Sequence, residues 1–108
     1  MKTFAENLAT FENVDHLQSI ELTNDDGSIA GILENKPGSQ GSLKLYHYLW
    51  KKWGCINADA AKEGLALYAE HTEDAKNYPG KHPNIDRLFR VIESNTVLSV
   101  ETIPVGVP

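Results

Sequence analysis

Residues 71–87 read His-Thr-Glu-Asp-Ala-Lys-Asn-Tyr-Pro-Gly-Lys-His-Pro-Asn-Ile-Asp-Arg, the densest run of titratable and turn-forming side chains in the chain. Three chemistries suit these residue types. The first is anion binding: Lys81, His82 and Arg87 fall at the start of a helix expected from Pro83 or Asn84, where unpaired backbone N–H groups favour a carboxylate or phosphate. His71 would join them from the other side of the Tyr78-Pro79-Gly80 corner. Asp86 opposes this reading, because a carboxylate in the first turn satisfies the helix dipole without a ligand. The competing reading is a capped helix with a solvated basic loop.

The second chemistry is metal ligation by His71, Asp74, His82 and Asp86, a nitrogen and oxygen set that suits zinc or manganese. No HExxH or comparable motif fixes their geometry, so no metal or other cofactor is expected. The third is catalysis by His71 or His82 without metal, which needs a positioned partner and a pocket. No serine or cysteine nucleophile motif accompanies them, and Cys55 reads as a buried thiol after a helix stop. No catalytic residue is assigned.

The remaining elements must hold this stretch. Thr3 caps a short amphipathic helix carrying Phe4, Leu8 and Phe11 at helical spacing. Alternation over 17–23 and 28–34 around Asn24-Asp25-Asp26-Gly27 predicts a β-hairpin, with Ile29 and Leu33 on one side and Ile32 on the other. Residues 35–41 hold Pro37, Gly38 and Gly41 and read as a loop; they lack the spacing and the Lys-Ser/Thr pair of a phosphate-binding Walker loop. From a cap at Ser42, Leu43, Leu45, Tyr46, Leu49, Trp50 and Trp53 cover a broad arc of a central helix that stops at Gly54. Lys44, His47 and Lys51 stand on its opposite side.

A third helix is capped by Asn57 and runs to Tyr78-Pro79-Gly80, with Ala58, Ala61, Leu65, Tyr68 and Ala69 as its apolar face. On the same wheel Gly64, Leu67 and His71 share an edge. Glycine inside a helix costs about 1 kcal/mol relative to alanine, so Gly64 implies a close approach or a small pocket. A fourth helix presents Ile85, Leu88, Phe89 and Ile92 to the core and Asp86, Arg90 and Glu93 to the outside, ending at Ser94-Asn95. Residues 96–103 form a last strand with Leu98 and Val100 inward, and a loose tail follows from about Pro104.

Length and composition bound the rest. The 108 residues suit a single domain, 1–108, with one core and no need of a metal or disulfide staple. A net charge of −5, with ten basic residues spread along the chain, disfavours direct nucleic-acid binding. No apolar run approaches a membrane span, and the first residues lack the apolar core of a signal peptide. With Cys55 as the sole cysteine no internal disulfide can form, which suits a cytoplasmic location.

Several blocks carry a resemblance: Ser19-Ile20-Glu21-Leu22, Gly41-Ser42-Leu43, Ile56-Asn57-Ala58, Glu70-His71-Thr72-Glu73-Asp74-Ala75, and residues 80–88, Gly-Lys-His-Pro-Asn-Ile-Asp-Arg-Leu. Together they resemble a small family of bacterial proteins, a conserved domain of unknown function. The resemblance implies a bacterial cytosolic protein and brings no catalytic residue with it.

The expectation is an α+β domain: a three-stranded antiparallel sheet, made from the hairpin and the C-terminal strand, packed with about four helices. Strand order is left open. The expected function is a non-enzymatic binding or regulatory domain that uses His71, Lys81, His82 and Arg87 for an anionic small molecule or an acidic protein segment. The alternatives are a metal-dependent or histidine-based hydrolase, and an acidic interaction module with a basic partner, for which Lys44, His47 and Lys51 would add surface. An uncovered sheet face or edge could support a homodimer.

Overall fold

The computed structural model describes residues 2–106. Its elements run α1 (Phe4–Leu8), β1 (Leu17–Thr23), β2 (Ile29–Glu34), α2 (Gln40–Trp53), α3 (Ala58–Tyr68), α4 (Glu70–Asn77), α5 (Pro83–Ser94) and β3 (Ser99–Pro104). The α+β class and the three-stranded antiparallel sheet match expectation, and the strand order is β2-β1-β3. Among the described residues the helices number five rather than about four.

The extra helix comes from a break at Ala69, which adopts φ 53° and ψ −117° although nothing in its side chain favours that region. Groups distant in sequence stabilise the break. Asn7 Nδ2 donates to Leu67 O at 2.9 Å, and Phe4 N–H donates to Glu70 Oε1 at 2.9 Å. The Leu67 carbonyl, which a continuous helix would pair internally, is thus satisfied from α1, and the Glu70 side chain in return takes an unpaired N–H at the start of α1. The turn changes the heading of the chain, so His71 leaves the edge of Gly64 and Leu67 on which helical periodicity places it.

Gly64 itself behaves as expected. A Cβ there would lie 2.8 Å from Leu88 Cδ1 and 2.9 Å from Leu49 Cδ1, so its missing side chain lets α3 press against α2 and α5. Around this contact Leu43, Leu45, Tyr46, Leu49, Ile85 and Leu88 are buried and join Ile20, Leu22 and Leu33 of the sheet.

Helix starts follow local chemistry in most places. Thr3 and Glu6 form a reciprocal capping box, and the Asn57 side chain accepts from Ala60 N–H. The central helix departs from the expected Ser42 start: Ser39 N–H and Gln40 N–H both donate to Lys36 O, so the loop winds into the helix before Ser42. Gln40 and Gly41, read from sequence as loop, are therefore helical.

Two side chains point away from their expected neighbours. Ile29 is 53% exposed while Leu33 is buried, because the β1–β2 register shifts between Leu22 and Thr23 and breaks the alternation. His47 is only 4% exposed rather than displayed with Lys44 and Lys51. The segment between α1 and β1 folds over that side of α2, stacking Phe11 on Tyr48 and bringing the His16 ring 6.0 Å from the His47 ring. At the other end β3 includes Pro104, and Val105 N–H donates to His16 O at 2.9 Å. Of the expected loose tail, Val107 and Pro108 lie outside the described residues.

Candidate functional site

The proline-and-glycine corner carries Lys81 and His82 onto Asp74 of α4. Asp74 Oδ2 accepts from Lys81 Nζ at 2.9 Å and from His82 Nε2 at 2.7 Å. The hydrogen bond from His82 and then that from Lys81 hold the Asp74 carboxyl below its ordinary value, so it is an acceptor at neutral pH. Nε2 of His82 must therefore carry the proton, which leaves Nδ1 as an acceptor in the neutral ring and a donor in the imidazolium.

His71 and His82 come together. Their ring centroids are 5.7 Å apart, and both line one cavity of about 360 Å³ with Lys81. An aromatic wall continues from them: Phe4 meets His71 edge-on at 5.2 Å and stacks on Tyr68 at 5.1 Å. Burial drives the Tyr68 hydroxyl far above its ordinary value, so it stays protonated and donates to Ser42 Oγ at 2.8 Å.

Two helix starts open on the same cavity, which Gly41 and Ser42 of α2 line together with Pro83 and Asn84 of α5. The first residues of an α-helix have N–H groups without intrahelical partners. In α2, Gln40 N–H is taken by Lys36 O and Leu43 N–H by Ser39 O, whereas Gly41 and Ser42 N–H find no partner among the described residues. At α5, His82 occupies the cap position without a side-chain cap bond, and Pro83 has no N–H. Ile85 and Asp86 N–H both donate to His82 O, leaving Asn84 N–H without a partner among the described residues. Of these groups Gly41, Ser42 and the aromatic wall escape inspection of residues 71–87, because they belong to distant helices. The signal available in sequence was the pair of glycines, Gly38 and Gly41, that flanks the start of the central helix.

Arg87 is not part of this group. It follows α5 to the sheet side, where Nη1 donates to Asn84 Oδ1 at 2.9 Å and to Tyr46 Oη at 3.3 Å. Helical spacing explains the separation, since a residue five after the cap faces a different side from the cap residue. Asp86 also turns away: its Oδ2 accepts from Gly80 N–H at 2.9 Å and braces the corner. Asp86 therefore neither opposes an anion from within the cavity nor joins His71, Asp74 and His82 as a metal ligand. Among the described residues no three His, Cys, Asp or Glu side chains converge to hold a metal ion.

A different carboxylate organises the far end of α2. Glu63 accepts from Tyr48 Oη at 2.8 Å, Lys52 Nζ at 3.0 Å and Trp53 Nε1 at 2.8 Å. Partial burial pushes its carboxyl upward, but the three donors outweigh that and hold it below the usual value. This cluster ties α2 to α3.

No helix among the described residues is long and apolar enough to cross a membrane. Neither the curated proteins nor the solved structures contain a match to the chain. A family profile described as "Uncharacterized protein conserved in bacteria (DUF2322)" matches residues 4–102, which include every element that shapes the cavity, and the chain belongs to that family.

Proposed function

We propose that the protein is a non-enzymatic binding domain that takes a small anionic molecule, a carboxylate or phosphate on a compact apolar body, into the cavity between the starts of α2 and α5. The observation that carries this reading is the set of unpaired N–H groups of Gly41, Ser42 and Asn84 on one cavity with Lys81, His71 and His82. Donors without acceptors at two helix starts favour negative charge, and Phe4 with Tyr68 supplies an apolar side for the rest of the ligand. Asp74 is the local competitor, because it already engages Lys81 and His82. The ligand gains most when His82 is protonated, since only then does Nδ1 donate. The setting that belongs with this reading is the bacterial cytosol, where Cys55 stays a thiol.

A set of carboxylates and phosphate esters tested by thermal shift and then by calorimetry examines the proposal. Binding is expected to weaken by about tenfold or more in Lys81→Ala/His82→Ala, in line with the loss of charge-assisted hydrogen bonds. Unchanged affinity in the double variant would count against it.

A second reading draws on the Asp74–His82 contact. A carboxylate that fixes one imidazole nitrogen leaves the other as a base, so a histidine-based hydrolase acting on a substrate in the same cavity is the alternative. Turnover of activated esters that disappears in both His82→Ala and Asp74→Asn would favour it over binding alone.

A further inference from the structure

The chain contains two arginines, Arg87 and Arg90, and both line a second cavity of about 370 Å³ on the sheet side of α5. Neither has a carboxylate at ion-pair distance among the described residues, in a protein whose net charge is −5. Arg87 is the more constrained. Its guanidinium lies over the Tyr46 ring at 5.8 Å, and among the described residues only Nη1 is hydrogen-bonded, to Asn84 and Tyr46. Nε is buried and has no partner among them.

The position of the guanidinium is built into the sheet. A Cβ on Gly31 of β2 would collide with Arg87 Nη2 and lie 2.7 Å from Arg87 Cζ, so the strand leaves out a side chain where the guanidinium sits. A purely structural arginine would be expected to spend its fork on acceptors, and here most of the fork has none. Arg90 stands one turn further along α5, exposed and without a side-chain hydrogen bond among those described, beside Ser94 and Thr96. Ala30, Val91 and Leu98 give the cavity an apolar wall.

We infer that this cavity is a second anion site, distinct from that between the starts of α2 and α5, and that it takes the phosphate group of a small phosphorylated organic molecule. Two guanidinium groups without counter-charges match a dianion better than a single carboxylate, and arginine forks bind phosphate oxygens in pairs. The volume exceeds what a bare phosphate needs, which leaves the apolar wall for the organic part. Gly31 and Tyr46 position Arg87, and Arg90 supplies the outer charge.

The test is titration of the intact protein with phenyl phosphate, followed by nitrogen-resolved NMR of the arginine Nε–H signals and of the backbone amides of Ser94 and Thr96. Saturable shifts of Arg87 Nε and of these amides are expected at constant ionic strength. Affinity read from these Arg87, Ser94 and Thr96 signals should fall about tenfold in Arg90→Ala, whose exposed side chain can be removed without opening the core, and remain within about twofold in Lys81→Ala/His82→Ala, which weakens phenyl phosphate only at the first cavity. Gly31→Ala, which displaces the guanidinium while keeping its charge, should weaken binding as well. Shifts that are absent, or that persist unchanged in both Arg90→Ala and Gly31→Ala, would overturn the site. Equal affinity for benzoate, read from the same Arg87, Ser94 and Thr96 signals, would overturn the assignment to phosphate.

Discussion

Two carboxylates, Glu63 and Asp74, each gather donors from neighbouring elements, yet they leave opposite remainders. Around Glu63 every polar group is spent: a tyrosine hydroxyl, an ammonium and an indole N–H converge on one side chain, and the cluster joins two helices. Around Asp74, Lys81 and His82 are held, while the N–H groups of Gly41, Ser42 and Asn84, residues that line the same cavity, have no acceptor among the described residues. A satisfied network holds structure together, whereas an excess of donors over acceptors invites a ligand. The same distinction separates Arg87 from Lys52, which is paired with Glu63 at 3.0 Å.

Removing the charge of each carboxylate in turn separates the two roles. Glu63→Ala should lose about 1–3 kcal/mol of stability, because Tyr48 and Trp53 keep half-buried donors without an acceptor, while ligand affinity at the cavity stays the same. Urea unfolding and calorimetry read the two quantities separately. Asp74→Asn should do the reverse, with a smaller change in the unfolding midpoint and a severalfold gain in affinity as Lys81 and His82 are released to an anion. A variant of Glu63 that alters binding as strongly as one of Asp74 would erase the distinction.

The break at Ala69 sets the geometry on the Asp74 side. Holding a non-glycine residue at φ 53° and ψ −117° costs about 1–3 kcal/mol, so Ala69→Gly should stabilise the fold by about 1 kcal/mol and leave the anion affinity intact. Chemical denaturation would show this as a higher midpoint at unchanged slope. Destabilisation would mean that the break is not strained.

Histidine position sharpens the contrast further. Desolvation lowers the His47 pKa below 6.5, so the folded state binds fewer protons there than the unfolded chain. Its contribution to stability is therefore fully present above pH 6.5 and is lost as pH falls from that value through its lower folded value. His47→Gln should flatten this part of the stability profile measured by thermal melting, whereas His82→Gln should weaken ligand binding. The smallest effect is expected on the sheet, where Glu21 and Glu101 face each other across β1 and β3. Glu101→Lys should gain a few tenths of a kcal/mol by replacing a like-charge pair. A loss in urea unfolding would contradict that pairing.

These regions were unequally legible in sequence. Caps and stops encoded by single residues, such as Thr3, Asn57 and Gly54, were readable because their chemistry is local. So was Gly64, whose cost inside a helix has to be offset by packing. The Ala69 turn was not readable, since alanine favours helix and the groups that stabilise the turn come from Phe4 and Asn7, more than sixty residues away. At the cavity, Lys81, His82 and His71 were nameable from one crowded stretch, but Arg87 and Asp86 were grouped with them by proximity along the chain. Helical rotation sends both elsewhere. Burial of His47 depends on a loop with no regular period, which no helical wheel represents.

If the surplus donors at the starts of α2 and α5 receive an anion, backbone amide chemical shifts read those donors directly. Titration with benzoate at mildly acidic pH should move the amide signals of Gly41, Ser42 and Asn84 together along one saturable curve, with matching changes in the His71 and His82 rings. Movement confined to surface lysines, or independent responses of the two helix starts, would contradict the account.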